Sequence, residues 1–167
     1  MSQSVPDMIL RGPSPLPSPA RPEQEARRTR RQTATALAGV PLFAGFTKRD
    51  LERVADETDV VSFKPGQTIV QEGLLGETMF VVLSGEAVVM HGRRRLGSLR
   101  PGDHFGELAA IDGAPRSATV VAVTPLSAIR LFRRTLFAML KAEPQLSLKI
   151  LDAMVRRIRD LTSSLEA

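Results

Sequence analysis

Between Val60 and Phe132 the chain is cut into short β-branched runs, none longer than five residues, and that rhythm limits the folds open to it more than any other feature. The runs are Val60 to Phe63, Thr68 to Val70, Met79 to Leu83, Ala87 to Met90, Leu96 to Leu99, Thr119 to Val123 and Ala128 to Phe132. Gly66, Gly73, Gly76, Gly85, Gly92 and Gly102 fall at or between their ends. Turns at this spacing punctuate a small antiparallel barrel or jelly roll rather than a parallel sheet, which needs long helical crossovers. Hairpins are expected at Ser84-Gly85-Glu86 and at His91-Gly92-Arg93.

The flanks read as helix. Thr47 is a good N-cap, and Leu51, Val54 and Ala55 follow at helical spacing. After Arg133 come Leu136, Phe137 and Leu140, then Pro144 as a new start, then Leu146, Ile150, Met154, Ile158, Leu161 and Leu165. This last stripe is long for a domain of this size. Its first half should pack on the chain's own β layer, while its second half calls for a partner helix from a second copy. The fold class is therefore mainly β with flanking helices: an antiparallel double-stranded β-helix, jelly-roll-like, with short N-terminal helices and a long C-terminal helix. The division predicted is a disordered Pro/Ser/Arg-rich tail over 1–35, a β-roll over 36–142 and a dimerisation or lid helix over 143–167.

Six of the twelve prolines lie in the first 22 residues, and Arg27, Arg28, Arg30 and Arg31 follow as a solvated charge run. Arg30-Arg31 before an apolar stretch resembles a twin-arginine export signal, but Pro41 interrupts that stretch and a capped helix follows at once, so it is read as the first helical layer. No apolar run reaches the roughly 20 residues of a membrane span, and a cytoplasmic protein with no membrane partner is expected. With no Cys, disulfides and thiolate metal sites are excluded, and the only histidines are His91 and His104. Neither metal nor catalysis is expected. The net charge of 23 − 18 = +5 is shared between the Arg-rich tail (+3 over residues 1–36) and a nearly balanced remainder (+2), which does not make a specific DNA-reading face.

One stretch carries chemistry: Pro101-Gly102-Asp103-His104-Phe105-Gly106-Glu107-Leu108-Ala109-Ala110-Ile111-Asp112-Gly113-Ala114-Pro115-Arg116-Ser117-Ala118-Thr119-Val120. Gly106 opens a short helical pattern whose first amides lack intrahelical partners, and without a Cβ it lets an anion approach the backbone. Arg116 adds a planar fork of donors suited to a phosphate, and Ser117 a hydroxyl. Glu107 makes the pattern specific, because a carboxylate beside a phosphate seat needs a donor of its own, such as a ribose hydroxyl. A sugar hydroxyl on Glu107 and a phosphate on the amides and Arg116 together describe a compact nucleotide with its phosphate close to the ribose, the shape of a cyclic nucleotide.

From about Leu37 to Glu166 the chain resembles the cyclic nucleotide-binding domains of the catabolite activator protein superfamily, and residues 106–120 look like that family's phosphate-binding cassette. Leu37-Ala38-Gly39-Val40-Pro41-Leu42-Phe43, Gly66, Glu72-Gly73 and Phe80-Val81-Val82-Leu83-Ser84-Gly85 support the likeness. The resemblance implies that Glu107 takes the ribose 2′-hydroxyl and Arg116 the exocyclic phosphate oxygens. It also implies phosphate-side contacts from Gly106, Leu108, Ala109, Ser117 and Ala118, with Val70 and Leu83 as apolar walls. The base would be covered by the C-terminal helix near Leu161, Thr162 and Ser163, of which Thr162 is the polar candidate. Ser117 after the arginine leans toward cyclic AMP over cyclic GMP. The family's transcription factors continue into a helix-turn-helix, and this sequence does not.

Single residues have blander readings too. His104 and His91 read as strand and turn residues, the methionines as core fillers and Arg93-Arg94-Arg95 as a solvated hairpin end. The expected function is a stand-alone cyclic nucleotide sensor, with the nucleotide as ligand, a homodimer through the C-terminal helix and an unidentified protein as output partner. The rivals are a nucleotide-blind β-roll interaction module, a partner of a transcription regulator, a jelly-roll metalloenzyme and a regulator that binds DNA through its basic tail.

Overall fold

A computed structural model describes residues 22–166. Eight strands form two antiparallel four-stranded sheets: β1 (Asp59–Phe63), β8 (Leu126–Phe132), β3 (Thr78–Ser84) and β6 (His104–Phe105) in one, β2 (Thr68–Val70), β7 (Thr119–Ala122), β4 (Ala87–His91) and β5 (Arg94–Leu99) in the other. Helices α1 (Pro22–Ala38), α2 (Lys48–Asp56), α4 (Arg133–Ala142) and α5 (Pro144–Glu166) flank them, and α3 (Glu107–Asp112) sits between β6 and β7. This is the β-roll with helical flanks that the turn rhythm predicts, and each predicted run lies within two residues of an observed strand.

The first sheet has two buried faces. Along β3, Phe80 and Val82 point inward with Phe105, Leu126 and Ala128 against Val70, Ala87, Leu99, Val120 and Ala122 of the second sheet. Met79 and Val81 point the other way, with Ile129 and Leu131, onto Leu37, Phe43, Leu51, Leu136, Leu146 and Ile150 of the helical layer. A strand covered on both sides reads as a continuous apolar run, which is what Met79 to Leu83 is. Leu83 follows from the same alternation: it packs against the helical layer, not into the roll, so its expected place as a wall of the binding pocket is corrected.

Two further expectations are corrected. Ser84-Gly85-Glu86 does not close a hairpin, because β3 pairs with β6 and β8 while β4 pairs with β5 and β7. The turn instead carries the chain from one sheet to the other. The hairpin at His91-Gly92-Arg93 does form, between β4 and β5. The expected disordered tail of 1–35 is corrected over residues 22–35: α1 begins at Pro22, carries Glu23 and Glu25 in its first turn, and buries Thr33, Ala34 and Leu37 on the domain. Arg30 reaches Asp56 of α2 at 2.8 Å, so this arginine is not free. Low apolar content hid the helix, since three buried positions are enough to dock it. Residues 1–21, with most of the proline run, lie outside the described residues.

At the other end, α2 starts with the expected cap, in which the Thr47 hydroxyl and the Asp50 carboxylate each accept from the other residue's backbone amide. In α5, Leu146 and Ile150 are buried and Met154 partly so, while Ile158 is 63% exposed and Leu165 73%. The first half of the stripe packs on the domain and the second half does not.

Gly85 shows how tightly the sheet crossing is built. Its φ is +85°, and a Cβ there would strike the Pro125 carbonyl oxygen and come within 2.8 Å of Leu126 Cα. Gly92 also has a positive φ, +57°, but faces open space. Gly85→Ala should therefore cost about 2 kcal/mol or more and lower Tm by roughly 5 °C, against a smaller loss for Gly92→Ala. Calorimetric melting of the two variants checks this, and equal shifts would contradict it.

Candidate functional site

The site is built around a buried cation. Arg116 is 7% exposed, and no Asp or Glu lies within ion-pairing distance of it among the described residues. Its Nη1 donates to the Thr78 carbonyl at 2.7 Å and to the Gly106 carbonyl at 3.2 Å, and its Nη2 donates to the Thr78 hydroxyl at 2.9 Å. A guanidinium has five N–H donors, so the Nε–H and one Nη2–H keep no acceptor among the described residues. Burial lowers the arginine's pKa, as desolvation of an uncompensated charge must.

Glycine makes this arrangement possible at two places. Gly106 has φ +83°, and a Cβ on it would lie 2.7 Å from the Thr78 carbonyl oxygen and 2.8 Å from Arg116 Nη1. At Gly76 a Cβ would lie 2.5 Å from Arg116 Nη2. The loop before β3 also grips residue 116 through its backbone: Gly73 N–H donates to the Arg116 carbonyl and Arg116 N–H to the Leu74 carbonyl, both at 2.8 Å. Residue 116 is thus clamped at its main chain while its fork lies against two glycines.

Glu107 opens α3 and is 1% exposed. One carboxylate oxygen, Oε1, accepts from Arg157 Nη1, whose other nitrogen, Nη2, donates to the His104 carbonyl. The other, Oε2, faces His104 Nδ1 at 3.4 Å. Burial pushes the carboxyl pKa up, but the neighbouring His104 imidazole and the charge of Arg157 outweigh it, and the group lies below its usual range. Of its two acceptor oxygens, Oε2 has no hydrogen-bond partner among the described residues.

Both groups line one cavity of about 510 Å³ between the roll and α5. Of the residues singled out in the sequence, Gly106, Glu107, Leu108, Ala109, Arg116, Ser117, Ala118 and Val70 line it. Leu83 and Thr162 do not. Thr162 donates its hydroxyl to the Ile158 carbonyl one turn back along α5, and the helix turns Arg157, Ile158, Asp160, Leu161 and Ser164 to the cavity instead. Of the contiguous residues 161–163 only Leu161 lines the cavity, because a helix presents every third or fourth position to one side. Val89, Leu99 and Val120 complete an apolar end, so the cavity is cationic and acidic at one side and greasy at the other. That contrast suits a molecule with a charged phosphate, a hydroxyl-bearing ring and a flat apolar part. Arg157 was missed by sequence reasoning, as nothing in a helical Arg-Arg-Ile-Arg run says which arginine turns inward.

The other sequence candidates are also placed. His104 is a buried strand residue in β6, and His91 ends β4 with its Nδ1 3.0 Å from Glu72. Among the described residues no three His, Asp or Glu side chains gather as a metal site would require, and no helix is long and apolar enough to cross a membrane.

Comparison with known proteins gives the same picture. The family model "Cyclic nucleotide-binding domain" matches residues 60–143, half of the chain. A cAMP-dependent protein kinase regulatory subunit of Hypocrea atroviridis is 35% identical over 95 residues, covering 57% of this chain and 21% of that protein. A cGMP-dependent protein kinase of Toxoplasma gondii is 42% identical over 86 residues, covering 52% of this chain and 9% of that protein. The chain thus spans well under half the length of these relatives. Among solved structures, the catabolite activator protein of Thermus thermophilus superposes with a TM-score of 0.66 at 28% identity, covering 75% of this chain and 62% of that one. With the matched segment running from β1 through the cationic seat to the end of α4, this chain belongs to the cyclic nucleotide-binding domain family.

Proposed function

We propose that the chain is a regulatory sensor that binds cyclic AMP in the cavity between the roll and α5, and that it is not an enzyme. The observation that carries this reading is the buried, unpaired Arg116. A guanidinium withdrawn from water without a counterion is costly, and a phosphate supplies the missing charge. The two spare N–H donors of Arg116 and the Ser117 hydroxyl take the phosphate, with the backbone of Gly106 to Ala109 and Ala118 around it. At six residues α3 is too short for its dipole to do this alone, so the arginine is the principal holder. Glu107 accepts from the ribose hydroxyl, and the purine lies among Val70, Val89 and Leu99 under α5. The choice of adenine rests on Ser117, and one relative is named for each nucleotide.

The output is a change in α5, since a ligand shifts an equilibrium only through differential affinity for its states. An unidentified protein reads that change, and an exposed face of α5 also meets a second copy of the chain. Leu148, Leu151 and Val155 recur at three- and four-residue intervals, are all exposed and do not line the cavity, the pattern of a helix–helix seam.

Two outcomes are expected. In isothermal titration calorimetry, cyclic AMP should bind more tightly than cyclic GMP, and Arg116→Ala should weaken binding roughly ten- to a hundredfold through the loss of charge-assisted hydrogen bonds. Undiminished binding by that variant would show that the phosphate is held elsewhere. In analytical ultracentrifugation at tens of micromolar the chain should sediment as a dimer, and Leu148→Glu with Leu151→Glu should return it to a monomer. A monomeric wild type, with and without nucleotide, would remove the α5 seam.

A further inference from the structure

Two polar atoms beside the site face each other, buried and unpartnered. His104 Nδ1 and Glu107 Oε2 lie 3.4 Å apart, and neither has a hydrogen-bond partner among the described residues. Their side chains are 8% and 1% exposed. Such a pair is costly unless one atom offers the other a hydrogen. A lone pair on Nδ1 would meet the lone pairs of the carboxylate oxygen, so the ring hydrogen is assigned to Nδ1.

The strand decides from which side the imidazole comes. In β6, Phe105 stacks on Phe80 inside the roll, while His104 pairs in register with Val81, which belongs to the core on the helical side of the sheet. Side chains alternate along a strand, so His104 approaches Glu107 from the side away from the roll, and it does not line the cavity. A ligand in the cavity therefore meets Glu107 and not His104. Whatever the histidine contributes, it contributes through the carboxylate.

That contribution is orientation. The last torsion of a glutamate side chain is broad, so a carboxylate held at one oxygen can swing about that contact. Arg157 holds Oε1 from a helix, with its own side chain 41% exposed, whereas His104 faces Oε2 from a buried strand. With a donor at each oxygen the carboxylate plane is set, and its remaining acceptor sites are aimed at a hydroxyl, whose bond is directional. We propose that His104 is a positioning residue for sugar recognition: it fixes the turn of Glu107, and so sets how strongly the cavity prefers a ligand with a ribose 2′-hydroxyl over its 2′-deoxy counterpart. This inference rests on the reading of the cavity as a cyclic nucleotide site with Glu107 on the sugar.

The test is titration calorimetry on the full chain with cyclic AMP and 2′-deoxy cyclic AMP, comparing the wild type with His104→Phe, His104→Asn and His104→Gln. Phenylalanine fills the slot without a donor. Asparagine brings its amide nitrogen near the place of Nδ1, and glutamine brings its own near Nε2. The wild type should prefer cyclic AMP by about tenfold or more, the weight of a hydrogen bond to a charged group. In His104→Phe and His104→Gln that preference should fall about fivefold while affinity for the deoxy ligand stays within about twofold, and His104→Asn should keep most of the preference. An unchanged preference in His104→Phe would remove the role, as would an asparagine variant no better than the glutamine one. Equal weakening toward both ligands would overturn it too, since a packing defect alone does that. Should the phenylalanine variant fail to fold, the contrast between asparagine and glutamine decides. If the wild type binds both ligands equally, Glu107 does not hold the sugar and His104 has nothing to position; if it binds neither, the cyclic nucleotide reading itself fails and the positioning role with it.

Discussion

Keeping the Arg116 guanidinium out of water without a carboxylate beside it imposes conditions on every segment around it. The Thr78 carbonyl and hydroxyl and the Gly106 carbonyl must turn toward it as acceptors, so β3 has to end its neighbouring loop at one register only. Gly76 and Gly106 must lack side chains, and the Gly73–Leu74 backbone must hold residue 116 in place. An internal carboxylate would satisfy the same cation with less construction, but it would also fill the site. The arrangement found spends several neutral dipoles to leave the charge available.

β3 conveys this local order to the whole molecule. Its central position, between β8 and β6, gives it one face in the roll and one against the helices, so Phe80 and Val82 belong to a different core from Met79 and Val81. Thr78, at its start, is the residue that meets Arg116. The helical layer and the cationic seat are thereby two sides of one strand, and neither can shift far without the other in a close-packed interior.

Much of the architecture was legible because strands and turns write themselves in short-range patterns. Glycines with positive φ at 66, 73, 85, 92 and 102 mark the ends of apolar runs, and the runs became strands. The cassette was legible for a similar reason, as Gly106, Glu107 and Arg116 are close in sequence and chemically unlike their surroundings. What escaped depends on relations that no local pattern encodes. Leu83 was assigned to the wrong face because a strand buried on both sides shows no alternation to count. β6 is only two residues long, and the turn at Gly85 looks like a hairpin until the partners of β3 and β4 are known. Thr162 is the wrong polar candidate, and Arg157 goes unseen, because the phase of α5 against the cavity is set by Leu146 and Ile150 anchoring its first turns, several residues away.

The two ends of the cavity differ in how they are made. The charged end comes from one contiguous stretch, 106–118, braced by the loop before β3, and each of its parts is tied to the others by backbone bonds and missing side chains. The apolar end owes its lid to side chains projected from a single exposed helix, whose substitution disturbs almost nothing else. Such a division uncouples the two ends of the cavity mechanically. Substitutions at 158, 160, 161 and 164 therefore reshape one wall of the cavity while the backbone and glycine contacts around Arg116 stay as they are.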